Sequence, residues 1–157
     1  MFCPVELDCL GIATGTDLFT LRLRIWRFLH AADEKSMKAQ RILVVEDDGL
    51  LGMVLGEVLE GMGHEVCAIA TNEADAVAAA IRCSPDLMIV DVRLGDGSGI
   101  SAVDKIHLKG AIPHLFVTGD LLDVKFLRPG AEVIQKPFRD SDLERAIERV
   151  TAAATTI

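Results

Sequence analysis

The stretch Arg41-Ile-Leu-Val-Val-Glu-Asp-Asp48 is a compact apolar run that ends in three acidic residues. Such a run is typical of a strand that is buried on both faces of a parallel sheet. Outward from it, four more short runs are predicted to be strands: His64–Ala70, Leu87–Val90, Pro113–Thr118 and Glu132–Gln135. Segments with helical spacing alternate with these strands. The sequence therefore predicts an α/β fold with a doubly wound, five-stranded parallel sheet.

The helices are predicted from apolar spacing and from capping residues. They cover about 51–62, 72–82, 98–108 and 141 onward. Gly61 and Gly63 are expected to end the first helix, and Thr71 or Asn72 to cap the second. Between the last two strands there is room only for a shortened fourth helix, around 121–127, before Pro129-Gly130 breaks the chain.

Composition narrows the class of protein. The 157 residues suit one domain, and the net charge is −8. Residues 1–40 hold five acids and five bases, so the rest of the chain carries the whole excess, which argues against a nucleic-acid partner. No apolar run could span a membrane, and no secretory signal is evident. The four cysteines lack metal-ligand spacing, and we expect reduced thiols and a cytoplasmic location.

Three segments are distinguished along the chain. Residues 41–150 carry the predicted domain, and 151–157 are expected to be a frayed tail. Residues 1–40 contain the basic, apolar run Leu21–His30. Three interpretations of this extension stay open. Translation could begin at Met37, so that the extension is not made at all. Otherwise the extension could be an element that caps the domain, or a helix that docks on a membrane or a partner.

The special residues stand at the carboxyl ends of the predicted strands, where ligands bind in a doubly wound sheet. The first strand ends in Glu46-Asp47-Asp48, the third in Asp91, the fourth in Thr118 and the fifth in Lys136-Pro137. Clustered carboxylates repel one another unless a hard cation such as Mg²⁺ offsets them. One carboxylate could then attack a phosphoryl donor, with Mg²⁺, the lysine and the threonine hydroxyl balancing the developing charge.

Four motifs carry a family resemblance: Val44–Asp48, Pro85–Asp91, Val117-Thr118-Gly119 and Lys136-Pro137-Phe138. Together they closely resemble the receiver domains of bacterial two-component response regulators, over roughly residues 40–150. The resemblance implies a flavodoxin-like fold, a Mg²⁺ cofactor, and a cis peptide bond between Lys136 and Pro137.

The resemblance also implies a role for each acidic residue. Asp91 would be the phosphoacceptor and a metal ligand. Asp47 would bind Mg²⁺ directly, Glu46 would help through water, and the backbone carbonyl of Arg93 would complete the protein ligands. Asp47 or Asp48 could instead cap the following helix, and we assign capping to Asp48.

By the same resemblance, Thr118 would bond the phosphoryl group and Lys136 would pair with it. Most receivers carry an aromatic switch residue three positions before the lysine. That position is Val133 here, and the chain has no tyrosine. The usual aromatic rotation therefore cannot be the readout.

The run from Pro113 to Asp120, followed by residues 133–138, is similar to a single-domain receiver subgroup with the "FAT GUY" signature, which lacks the aromatic switch. The match holds at four positions and fails at three: it holds at Pro113, Phe116, Thr118 and Gly119, and fails at His114, Val117 and Asp120. Asp120 adds negative charge near the site and is expected to weaken phosphoryl binding or shorten its lifetime.

The predicted function is that of a single-domain response regulator. It would take a phosphoryl group from a sensor histidine kinase or a histidine phosphotransfer protein and signal by contact with an unknown downstream protein. It would not be an enzyme beyond its own phosphotransfer and dephosphorylation. A homodimer is left open. The alternatives are a phosphorelay intermediate or phosphate sink, a receiver-like scaffold that is never phosphorylated, and an aspartyl phosphohydrolase. Arg93 stands where phosphohydrolases of the haloacid-dehalogenase type usually carry a second aspartate.

Overall fold

The computed structural model describes residues 38–95, 97–119 and 128–154. The N-terminal extension up to residue 37 and the predicted short helix at 121–127 lie outside these residues. The two predictions that concern them therefore stay predictions.

A five-stranded parallel sheet forms the centre of the described chain. Its strands are β1 (Arg41–Val45), β2 (Glu65–Ala70), β3 (Leu87–Asp91), β6 (His114–Thr118) and β7 (Val133–Gln135). Their spatial order is β2-β1-β3-β6-β7. β1 and β3 therefore lie side by side in the middle of the sheet, and β6 follows β3 with Asp91 opposite Val117. This is the doubly wound, flavodoxin-like architecture that the sequence predicted.

Four helices are described: α1 (Gly49–Gly61), α2 (Glu73–Cys83), α3 (Gly99–His107) and α4 (Asp140–Ala154). Polar side chains cap the first three, since Asp48, Asn72 and Ser98 each accept a hydrogen bond from a backbone N–H in the first turn. After α1, Gly63 adopts a positive φ of 92°, a conformation that favours glycine.

The core lies on both faces of the sheet because successive strand residues point to opposite faces. On one face, Leu43, Met88 and Phe116 pack with the alanine-rich side of α2 and with α3. On the other face, Ile42 and Ile89 pack with α1 and α4. Burial on both faces explains why β1 and β3 are apolar at nearly every position.

Element boundaries differ from the predicted ones by a residue or two, and two features are additional. A two-residue hairpin, β4 (Arg93–Leu94) and β5 (Gly97–Ser98), follows the central strand β3. Helix α4 continues to Ala154, four residues into the segment predicted as a frayed tail, because alanine is the strongest helix former. In the part of the chain that the structure describes, no helix is long and apolar enough to cross a bilayer.

Candidate functional site

The carboxyl edge of the sheet brings together residues that are up to 90 positions apart in the chain. Glu46 and Asp47 follow β1, Asp91 ends β3, Thr118 ends β6 and Lys136 follows β7. Parallel strands in adjacent positions end at the same edge, so the strand order alone places these residues near one another. The sequence predicted all five.

Lys136 is the centre of the cluster. Its Nζ donates to Oε2 of Glu46 at 2.7 Å and to Oδ2 of Asp91 at 2.6 Å. The side chains of Glu46 and Asp91 are only 6% and 12% exposed, against 29% for Lys136. Two nearly buried carboxylates thus share one cation, which offsets part of their repulsion and their loss of hydration.

The ion pairs of Lys136 and the burial of its partners shift the pKa values of Glu46 and Lys136. Burial raises the pKa of Glu46 above its usual range and the charge of Asp91 adds to the rise, while the hydrogen bond from Lys136 opposes it. Burial alone would lower the pKa of Lys136, but its bonds to Asp91 and Glu46 outweigh burial and raise that pKa. The lysine therefore stays charged at neutral pH.

The two aspartates that follow Glu46 serve different purposes. Oδ1 of Asp48 accepts hydrogen bonds from the N–H groups of Leu50 and Leu51, so Asp48 caps α1 as predicted. Oδ2 of Asp47 instead accepts a 3.0 Å bond from the N–H of Gly95, in the turn between β4 and β5. The carboxylate of Asp47 is thereby available to the site rather than to the helix.

Asp91 is fixed through both of its side-chain oxygens. Oδ2 accepts from Lys136, and Oδ1 accepts a 3.0 Å hydrogen bond from the N–H of Arg93. The start of helix α3 lies close to the backbone of Asp91: a methyl group on Gly99 would be 1.9 Å from the carbonyl oxygen of Asp91. Only glycine therefore fits at the start of α3, and the close contact holds this helix against the end of β3.

The carboxylates have the composition of a hard-metal site. Glu46, Asp47 and Asp91 each offer one oxygen, and these oxygens lie within 4.8 Å of one another. Among the residues that the structure describes, this is the one group of three or more acidic, histidine or cysteine side chains close enough to hold a metal ion. Oxygen donors suit magnesium, so the donor set fits the ion that the sequence predicted.

The other predicted residues lie where strand ends place them. Thr118 is buried, with 2% exposure, and its backbone oxygen accepts from the N–H of Lys136 at 2.7 Å. The Lys136–Pro137 peptide bond is cis, as predicted. Val133 begins β7 opposite Phe116 and packs against the core beside α2 and α3, so an aliphatic side chain occupies the switch position.

Two residues near the site were missed by sequence analysis. Gly95, whose φ is +55°, supplies the N–H that binds Asp47. Glu73, on α2, accepts hydrogen bonds from α3 close to the loop that follows Asp91. The glycine-rich composition after Asp91 was a signal for a tight turn, whereas nothing in the sequence pointed to Glu73, because its partners are 28 and 32 positions away.

The chain matches the response regulator receiver domain over residues 42–148. It is 34% identical over 117 residues to the phyllosphere-induced regulator PhyR of Methylorubrum extorquens, covering 71% of this chain and 43% of that protein. It is 33% identical over 120 residues to the transcriptional regulatory protein PdtaR of Mycobacterium tuberculosis, covering 74% and 58%. The chain thus spans about half the length of these two relatives.

A solved structure agrees with the sequence comparisons. The crystal structure of the response regulator PhyR from Brucella abortus superposes with a TM-score of 0.70 at 28% identity, covering 76% of this chain and 50% of that one. The family match over residues 42–148 includes the five sheet strands, apart from the first residue of β1, and every acidic residue of the site. The chain therefore belongs to the family of response regulator receiver domains.

Proposed function

We propose that this protein is a phosphoacceptor receiver whose Asp91 takes a phosphoryl group from the phosphohistidine of a sensor kinase or of a histidine phosphotransfer protein. The observation that carries the proposal is the shared lysine. Lys136 holds Asp91 beside the acidic pair Glu46 and Asp47, so the nucleophile, the cation and the metal-binding oxygens occupy one edge of the sheet.

The reaction is a simple exchange of bonds. A carboxylate oxygen of Asp91 attacks the donor phosphorus, the P–O bond forms, and the P–N bond to the donor imidazole breaks. The electron pair of that bond stays with the imidazole, which ends neutral after proton exchange with water. Lys136 already touches the nucleophile, so it can move its hydrogen bond to a phosphoryl oxygen, and the Thr118 hydroxyl is the second proposed donor.

Asp47 and Asp91 would hold Mg²⁺ directly, with Glu46 acting through water and the backbone carbonyl of Arg93 as a further ligand. The ion supplies positive charge where negative charge collects on the transferring group. Its binding also offsets the mutual repulsion of the carboxylates, and for this reason Mg²⁺ is expected to stabilise the folded protein.

The surface of α1 supports docking of a protein phosphodonor beside the site. Four large apolar side chains of this helix are about half exposed or more: Leu50, Leu51, Met53 and Val54. Exposed apolar side chains in a contiguous patch are typical of protein interaction surfaces. The first turn of α1 directly follows the acidic residues of the site, so a partner on this surface would reach Asp91.

For output, we propose contact with another protein. With Val133 at the switch position, the signal would be read from the phosphorylated edge of the sheet rather than from an aromatic rotation. Service as a phosphorelay intermediate or phosphate sink uses the same chemistry. Catalysis would be confined to the domain's own phosphorylation and dephosphorylation. A homodimer is also compatible with this function.

The direct test is intact mass after incubation with Mg²⁺ and acetyl phosphate. We expect the wild-type protein to gain one phosphoryl group, and Asp91→Asn or removal of the metal to abolish the gain. Asp140→Asn is the matched control, because Asp140 is an exposed aspartate at the start of α4 and should leave the gain intact.

If acetyl phosphate gives no gain, phosphorylated histidine kinases are the second donor to use. No transfer from either donor would refute the proposal and favour the unphosphorylated scaffold. Repeated turnover of small phosphoesters would instead indicate the phosphohydrolase.

A further inference from the structure

The loop that joins β3 to α3 (residues 92–98, with 96 outside the described residues) connects directly to the site. The N–H of Arg93 binds Oδ1 of Asp91, and the N–H of Gly95 binds Oδ2 of Asp47, both at 3.0 Å. The loop therefore sets the position of two of the three carboxylates proposed to hold Mg²⁺.

The helix α3, which follows this loop, is held by Glu73, the first residue of α2. Oε1 of Glu73 accepts from the Ser101 hydroxyl at 2.7 Å and from Nζ of Lys105 at 2.5 Å, both on α3. A methyl group built on Gly97 would lie 3.6 Å from Oε2 of Glu73, so the carboxylate lies beside the loop. Only 21% of the Glu73 side chain is exposed.

The charge state of Glu73 agrees with this contact. Hydrogen bonds from Lys105 and then from Ser101 hold the pKa of Glu73 below its usual range, and the backbone of Ser98 adds a smaller contribution in the same direction. Glu73 is therefore a carboxylate at neutral pH that receives donors from the loop and from the helix after it.

The short hairpin β4–β5 connects the region beside Glu73 to Gly95, which binds Asp47. Within the loop, Arg93 pairs with Ser98 and Leu94 pairs with Gly97. Glu73 lies beside the second strand of this hairpin, and the first strand leads into Gly95, whose N–H binds Asp47. A shift of β5 relative to α2 would therefore move the hydrogen-bond donor of Asp47.

We propose that Glu73 is a positioning residue for the metal site: it braces the hairpin from α2, and through Gly95 it keeps the Asp47 carboxylate aimed at the ion. This inference rests on the proposed function, in which Asp47 and Asp91 bind Mg²⁺. In the described part of the chain, Glu73 bonds Ser101 and Lys105 on α3, so it would act on the ion only through other residues. Its effect is on the affinity of the site, like that of the outer partners that orient ligands in other metal sites.

The test compares three variants on the same helix. Glu73→Ala removes the brace. Glu73→Gln keeps an oxygen that can accept from the Ser101 hydroxyl, so this variant should retain most of the Mg²⁺ affinity. Asp75→Ala is the matched control, because it removes a carboxylate from the same first turn, where Asp75 bonds Asn72 at 2.6 Å and does not serve the loop.

Two measurements are made on each full-length protein. The first is Mg²⁺ affinity by calorimetric titration. We expect about tenfold weaker binding for Glu73→Ala, at the low end of the range for an outer-shell residue. Glu73→Gln and Asp75→Ala should stay within about twofold of wild type. The second is amide hydrogen exchange without metal, where Glu73→Ala should speed exchange at Gly95 by about tenfold and leave Leu43 in β1 unchanged.

The outcomes separate this inference from the function on which it rests. Wild-type affinity and wild-type Gly95 exchange in Glu73→Ala would overturn the positioning role, even if Asp91 is phosphorylated normally. Faster exchange at Gly95 and Leu43 alike would also overturn it, because that is general destabilisation. If the wild-type protein binds no Mg²⁺ and takes no phosphoryl group, the proposed function fails, and the metal-site role of Glu73 fails with it.

Discussion

The start of α3 packs tightly against the proposed phosphoacceptor at Gly99, and we predict a clear loss of stability when this glycine is replaced by alanine. The added methyl group would lie 1.9 Å from the carbonyl oxygen of Asp91 and 2.6 Å from Cγ1 of Val90. Both are far inside the roughly 3.5 Å at which non-bonded heavy atoms pack. Either the end of β3 or the start of α3 must therefore move.

The size of the effect follows from what has to move. Relief of the contact requires a shift of about 1.5 Å, and one partner is backbone in the central strand rather than a flexible side chain. Overpacking a core costs typically 1–3 kcal/mol, so we expect about 3 kcal/mol of lost stability, near the upper end of that range. Because Asp91 carries the displaced carbonyl, phosphorylation should also become slower.

The assay is urea denaturation, followed by circular dichroism, with Gly110→Ala as the matched control. At Gly110 an added methyl group meets nothing within 4 Å. That variant should range from unchanged to about 1 kcal/mol more stable, because alanine restricts the unfolded chain. A Gly99→Ala protein within about 0.5 kcal/mol of wild type would refute the close contact between α3 and Asp91.

Three further predictions concern titratable groups. Burial lowers the pKa of His64, which is 6% exposed, so its contribution to stability is complete above about pH 6.5 and is lost as pH falls through the depressed value. The free energy of unfolding should therefore fall between pH 7 and 5, and His64 can contribute at most about 1.4 kcal/mol per pH unit to that fall. His64→Gln should flatten the slope, and an unchanged slope would contradict the role of His64. Lys136→Gln leaves Glu46 and Asp91 without their shared cation and should cost roughly 2 kcal/mol of stability at pH 7. The cost should shrink as pH falls, because burial raises the pKa of Glu46 and a protonated Glu46 no longer needs the cation. A cost that does not change with pH in urea titrations would count against the ion pairs. Burial raises the pKa of Cys67 to about 11, so its alkylation at pH 8 should be about a hundredfold slower in the folded than in the unfolded protein. Equal alkylation rates, measured by peptide mass spectrometry, would contradict this prediction.

Much of the site could be predicted because its residues occupy positions defined by the strands. The acidic residues follow β1, Asp91 ends β3 and Lys136 follows β7. Each strand is signalled by a short apolar run, and parallel strands end at one edge, so the positions combine without knowledge of any contact. Capping by Asp48 was predictable on the same local basis, because a cap acts on the helix next to it.

The hydrogen-bond partners of these residues could be predicted from the sequence less well. Glu46 was expected to serve the metal through water, and the structure adds a direct 2.7 Å bond to Lys136, 90 positions later in the sequence. The choice of Asn72 over Thr71 as the cap of α2 also came from the structure, where Oδ1 of Asn72 accepts from the N–H of Asp75. No local pattern shows whether His64 is buried, and the fold buries it.

Taken alone, the sequence determined the class of fold, the order of the strands along the chain and the acidic, threonine and lysine residues of the site, since all of these depend on local periodicity and on strand ends. Only the tertiary structure decided the brace from Glu73 and the fit of Gly99 against Asp91. Both depend on how closely α2 and α3 approach the loop after β3. That distance is set by the packing of side chains far apart in sequence, and no local pattern encodes it.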